Sequence, residues 1–149
     1  MKALIQLVSQ ASVTVDEALV GSSGAGMLVF VGVDADDDQE VASKIVNKIL
    51  NLRIFRDEVG KTNLNIQQVQ GDLLVVSQFT LSADTSRGLR PGFSQAAKPD
   101  HAKQLFDFTV EKLKASGLRV ETGEFGAMMQ VSLVNEGPST YWLDSQNKI

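Results

Sequence analysis

The residues best equipped for chemistry stand in two short blocks, each placed directly after an apolar stretch. Ser77-Gln78-Phe79-Thr80-Leu81 closes a run that begins at Asp72, and Asn135-Glu136-Gly137-Pro138-Ser139-Thr140 follows Met128–Val134. Ser77 and Thr80 carry hydroxyls, Gln78 carries an amide, and Gly137-Pro138 supplies a tight bend. A strand end holds such groups rigidly at the edge of a cleft. A hydroxyl nucleophile needs a general base within hydrogen-bond reach. The single histidine, His101, falls in what reads as the first turn of a helix, where an exposed or capping role is expected rather than catalysis. Without a Gly-x-Ser-x-Gly elbow or a histidine-centred triad, a general esterase for small substrates is disfavoured. Zero cysteines remove thiolate and disulfide chemistry, and one histidine leaves too few nitrogen ligands for a zinc centre, so no metal is expected.

These blocks need a scaffold. Ala3–Val8, Ser12–Val15 and Gly26–Val33 have the apolar, β-branched character of three early strands. The acidic run Asp34–Asp38 supplies N-capping carboxylates, and Val41, Ile45 and Ile49 mark an amphipathic helix to about Leu52. A calcium loop starting at Asp34 would need glycine and glutamate where Gln39 and Ile45 stand. Gly60–Asn63 reads as a turn, and Asp72–Phe79 as a central strand. Residues 82–98 form a long polar loop, of a length that suggests function. Pro99 opens a second helix with Ala102, Leu105, Phe106, Thr109 and Leu113 inward, and Gly117 stops it. Arg119–Thr122, Met128–Val134 and Thr140–Leu143 read as three closing strands. The order β-β-β-α-β-α-β-β-β predicts an α/β fold: a mixed, mostly antiparallel, curved or barrel-like sheet with two packed helices.

The 149 residues, 43% hydrophobic, suit a single domain spanning 1–149. No apolar stretch approaches the ~20 residues of a membrane span, and Met1-Lys2 leads into strand-like sequence rather than a signal. No membrane partner and a cytoplasmic location are therefore expected. A net charge of −4 argues against a protein that grips nucleic acid by bulk electrostatics, and no DNA partner is expected. Any nucleic-acid contact must be local, with Arg53 and Arg56, then Arg87 and Arg90, as the basic candidates.

Taken in order, Ser77–Leu81 and Asn135-x-Gly137-Pro138-x-Thr140 resemble the two signature motifs of D-aminoacyl-tRNA deacylases. Gly24-x-Gly26, Arg53-Ile54-Phe55, Asn63-Leu64-Asn65, the Arg87-x-x-Arg90-Pro91 loop and Gln130–Asn135 match that family at corresponding places, over essentially the whole chain. The resemblance implies hydrolysis of the ester joining a D-amino acid to the terminal adenosine of tRNA, a proofreading step that needs no cofactor. It implies a homodimer, with the Phe79 N–H as oxyanion donor and Ser77, Gln78 and Thr80 shaping the reaction site. It further implies a cis Gly137-Pro138 bond whose carbonyls reach into the partner subunit's site and reject L-residues, and Phe125 and Met129 packed against the terminal adenine. Read alone, Gly-Pro is an ordinary turn and Phe125 and Met129 are core.

Two mechanisms remain open: attack by Ser77 or Thr80, or assistance by the terminal ribose 2′-hydroxyl, which asks less of the protein. Glycine mischarged on tRNA is a further conceivable substrate. The chain departs from the family at Leu7, where an arginine braces the Gly-Pro carbonyls, and at Ser139, where valine is common. Leucine cannot donate a hydrogen bond. A rival from another class is an inactive dimeric module that binds RNA ends or a protein through the same cleft.

Overall fold

The computed structural model describes residues 1–147. Its elements are β1 (Lys2–Val15), β2 (Ala18–Ser23), β3 (Gly26–Gly32), α1 (Gln39–Asn51), β4 (Phe55–Arg56), β5 (Thr62–Leu64), α2 (Ile66–Val69), β6 (Asp72–Ser77), a 3-10 turn (Phe79–Ser82), α3 (Pro99–Lys114), β7 (Val120–Thr122) and β8 (Gln130–Asp144).

A six-stranded mixed sheet organises the chain, with order β2-β1-β3-β6-β7 and β8 paired to β1. The long β1 is the hinge of this sheet. Antiparallel β8 runs along one edge of it from Lys2 to Thr14, so β3 and β2 must share the other edge, β3 at Lys2–Val8 and β2 at Ala11–Val15. Where β1 changes partner, Ser9 and Gln10 are exposed and the β8 register shifts. Parallel β6 and β7 extend the sheet beyond β3. The far ends then meet. The Ser22 N–H donates to Glu121 Oε2 at 2.7 Å, and a Cβ at Gly21 would lie 2.2 Å from the Thr122 carbonyl oxygen. Only glycine permits that approach, and it leaves the sheet nearly closed.

Side-chain alternation feeds two cores. Met27, Val29, Val31, Leu73 and Val75 face a large cluster roofed by Ala42, Ile45, Val46 and Ile49 of α1 and by Ala102, Leu105, Phe106, Val110 and Leu113 of α3. Leu28, Leu74 and Val76 face a smaller one with Val8, Ala11 and Val13, inside the curl. Burial on both faces explains the uninterrupted apolar runs of β3 and β6.

The mixed, mostly antiparallel curved sheet agrees with expectation, and four details correct it. The strands expected at Ala3–Val8 and Ser12–Val15 are one strand, as are those at Met128–Val134 and Thr140–Leu143. The unforeseen β2 follows a two-residue turn in which Asp16 and Glu17 both have positive φ, 49° and 66°. A third helix, α2, joins the two expected, started by a capping box in which Asn65 and Gln68 each accept the other's backbone N–H. Finally, Thr62–Leu64 is a strand paired with Phe55–Arg56, so the turn lies before it. Of the acidic run, only Asp38 caps α1, accepting the Val41 N–H at 2.8 Å.

Candidate active site at the rim of the parallel strands

Because β3, β6 and β7 are parallel, their carboxyl ends open on one rim, the side where parallel sheets commonly bind ligands. That rim carries Ser77–Thr80 after β6 and Gly123–Phe125 after β7. The Gln78 N–H makes the last bond of the ladder, to the Val31 carbonyl at 2.8 Å. The chain then leaves the sheet in the 3-10 turn Phe79–Ser82, so Phe79 and Thr80 are not strand residues. Gly32 allows the turn to lie this close: a Cβ there would meet the Gln78 carbonyl oxygen at 2.9 Å and Leu81 Cβ at 3.0 Å.

The first N–H groups of a helical turn have no partner within it. Leu81 N–H already bonds to the Gln78 carbonyl at 3.2 Å and Ala83 N–H to that of Thr80 at 3.1 Å, while Phe79 and Thr80 N–H find no acceptor among the described residues. Both residues are exposed. Two free, adjacent N–H donors on a pinned turn are the kind of arrangement that can stabilise a developing oxyanion. The turn's far end is pinned from below: Ser82, 3% exposed, donates its hydroxyl to the Asp34 carboxylate. Asp34 is itself buried and takes Lys2 Nζ at 2.7 Å on both oxygens and the chain's amino group at 3.2 Å. Burial pushes its pKa up, but the Lys2 and Ser82 hydrogen bonds and the amino-terminal charge outweigh burial and hold it below the usual aspartate value.

The hydroxyls lack a base. Thr80 Oγ1 accepts from the Gln78 side-chain amide, which cannot take up a proton, and Ser77 makes no side-chain hydrogen bond among the described residues. His101 stands apart, donating from Nε2 to the Asp37 carbonyl at 2.9 Å, a structural contact. Among the described residues no group of three or more His, Cys, Asp or Glu side chains is placed to hold a metal ion, and no helix is long and apolar enough to cross a membrane.

Gly137 and Pro138 lie elsewhere. Gln6 pairs with Thr140 and Val8 with Asn135, so Glu136–Ser139 bulge outward opposite the single residue Leu7. The Gly137–Pro138 bond is cis, and both residues are exposed. Asn135 closes the neck of the bulge, its Nδ2 donating to the Leu7 carbonyl at 2.8 Å and the Ser139 carbonyl at 3.2 Å. The Leu7 side chain turns the other way and is 8% exposed in the large core. The bulge is level with Met27 and Leu73, four residues before Ser77 and three strands away, a separation of roughly 20 Å along the sheet at ~3.3 Å per residue and ~4.8 Å per strand.

Phe125 is half-buried in the groove between α3 and the end of β7, its ring 5.9 Å from that of Phe106. Met129 packs its sulfur on Gly123 and joins the inner core, so the two residues flank one loop from different clusters. Sequence reasoning missed Asp34 and Ser82 as supports of the turn, and no local signal reveals a partnership across 48 residues.

The family model described as D-Tyr-tRNA(Tyr) deacylase matches residues 4–144. Proteins named D-aminoacyl-tRNA deacylase from Enterobacter sp. (strain 638) and from Shigella boydii are each 54% identical over 143 residues, 96% of this chain and 99% of the relative. Among solved structures, c-Myc DNA Unwinding Element Binding Protein is similar at TM-score 0.91 and 38% identity, over 97% of this chain and 98% of that one. A structure described as a probable eukaryotic D-amino acid tRNA deacylase superposes at TM-score 0.86 over 95% of this chain and 97% of its own, with 18% identity, a likeness of fold alone.

Proposed function

The chain belongs to the D-Tyr-tRNA(Tyr) deacylase family, and on that premise we propose how it works as a D-aminoacyl-tRNA deacylase. The observation that carries the proposal is the pair of free N–H groups at Phe79 and Thr80, on a turn braced by the Asp34 network. An aminoacyl ester is already activated, so positioning it and stabilising the tetrahedral oxyanion supply most of the acceleration. Water attacks the ester carbon with the terminal ribose 2′-hydroxyl assisting, because neither Ser77 nor Thr80 has a base beside it. Ser77 and Gln78 shape the floor of the site, and Phe125 with Met129 beneath its loop offers the face on which the terminal adenine rests.

Selectivity comes from a second copy. Gly137-Pro138 is too far from Ser77 in its own chain, yet it projects from the fold beside the open outer edge of β8, where Val134 and Trp142 are 47% and 49% exposed. An apolar open edge invites coverage. In a cytoplasmic homodimer the bulge of one subunit enters the other's site as a backbone wall, which rejects the side chain of an L-residue and admits a D-residue or glycine. The test is matched D- and L-tyrosyl-tRNA with purified protein: release from D alone supports the reading, and equal release or none refutes it.

A further inference from the structure

The loop between the 3-10 turn and α3 has no role in the chemistry above, yet its stem grows directly from the site. Asp84 and Gly92 exchange both backbone hydrogen bonds at 2.8 Å, so the chain returns on itself after leaving Ala83. Asp84 Oδ1 accepts the Ser86 N–H at 2.9 Å, and Gly88 has φ +68°, so the tip has a defined turn. Below the stem, Ala35 N–H bonds to Gln95 and Ala97 N–H to Val33, each at 2.9 Å, which ties the loop to the rim of β3. Phe93 rests against Phe79 with ring centroids 5.1 Å apart.

The tip presents Arg87, Leu89 and Arg90, all exposed, Leu89 completely. Neither arginine has a carboxylate partner among the described residues, and the nearest acid in sequence, Asp84, is occupied by Ser86. Of the other basic pair, Arg53 is already bound to Asn63 through its Nε at 2.7 Å and through its guanidinium, and Arg56 lies in β4, outside this loop. In a chain of net charge −4, Arg87 and Arg90 share the tip of a hairpin whose stem follows the 3-10 turn and whose Phe93 touches Phe79.

We propose that Arg87 and Arg90 bind successive phosphates of the substrate's acceptor strand, so that the hairpin 84–92 fixes the direction in which the RNA leaves the site. This rests on the deacylase reading. Arg90 lies at most ~10 Å of extended chain from Phe93, within reach of phosphates one or two nucleotides from the terminal adenosine. Guanidinium groups suit phosphate because their planar fork donates two parallel hydrogen bonds.

Arg87→Gln/Arg90→Gln should raise KM for D-tyrosyl-tRNA about ten-fold and leave kcat unchanged. The dependence of log KM on log salt should flatten by about 1.4–1.8, the loss of two phosphate contacts. Hydrolysis of 3′-O-(D-tyrosyl)adenosine, which has no phosphate, should proceed at the wild-type rate. Lys44→Gln/Lys48→Gln on the exposed side of α1 removes the same charge and should leave the salt slope as it is. An arginine variant with wild-type KM and slope overturns the proposal, and so does one that loses the phosphate-free ester equally. If the wild-type protein releases tyrosine from neither D-substrate, the deacylase reading itself has failed.

Discussion

At the residue scale, the decisive contrast is between side-chain hydroxyls without a base and backbone donors without an acceptor. Thr80→Ala and Ser77→Ala should each keep deacylation within about ten-fold of wild type, whereas a substrate with 2′-deoxyadenosine at its end should lose roughly a hundred-fold or more, the usual contribution of a positioned proton-transfer group. Single-turnover rates measure both. An inactive but folded alanine variant, with the deoxy substrate still cleaved, would establish a side-chain nucleophile instead. Asn135 makes a second contrast, because its amide closes the neck of the bulge opposite the inward-facing Leu7. Asn135→Ala removes about 1–1.5 kcal/mol of hydrogen bonding. The ratio of D- to L-tyrosyl-tRNA hydrolysis should fall about ten-fold in that variant, with D-hydrolysis itself less affected.

At the scale of elements, the 3-10 turn depends on a buried carboxylate. Asp34 has a lowered pKa in the fold, so its contribution to stability is complete above its unfolded pKa of ~3.9 and is lost as pH falls through the folded value. Urea denaturation should show this acid loss in the wild type. Asp34→Asn should cost about 3 kcal/mol near neutrality, since Lys2 loses its buried carboxylate partner while the amino terminus keeps Asp37, and should remove that share of the pH dependence. An identical acid profile in the variant would show that Asp34 does not carry it. Element positions with periodic burial were legible in the sequence: α3 and its inward face from Ala102 to Leu113, α1, and the cores of β3 and β6. Those set by distant partners were not. Asp16-Glu17 makes a hairpin turn without the glycine that normally announces one, and β1 continues through exposed Ser9-Gln10 because its partners change there. Asp34 looks like a helix cap until Lys2 and Ser82 are folded onto it. The Asn65…Gln68 spacing was a readable capping box. The two motif blocks were visible as residues, but the turn at Phe79 and the bulge opposite Leu7 arise from sheet register.

On the scale of the whole molecule, the Gly137-Pro138 bulge lies midway along β1 and three strands from the turn at Phe79, so in the proposed mechanism the chiral wall of each site is supplied by a second chain. Light scattering at micromolar concentration should give about twice the chain mass of 16.1 kDa. The most direct measurement is the initial rate of hydrolysis of D- and L-tyrosyl-tRNA across a dilution series that passes through dimer dissociation. We expect D-tyrosine release per chain to follow the dimer fraction, with L-tyrosyl-tRNA spared wherever the dimer prevails. Monomers that retain full, D-selective activity, or a dimer that cleaves both enantiomers alike, would contradict a site completed across two chains.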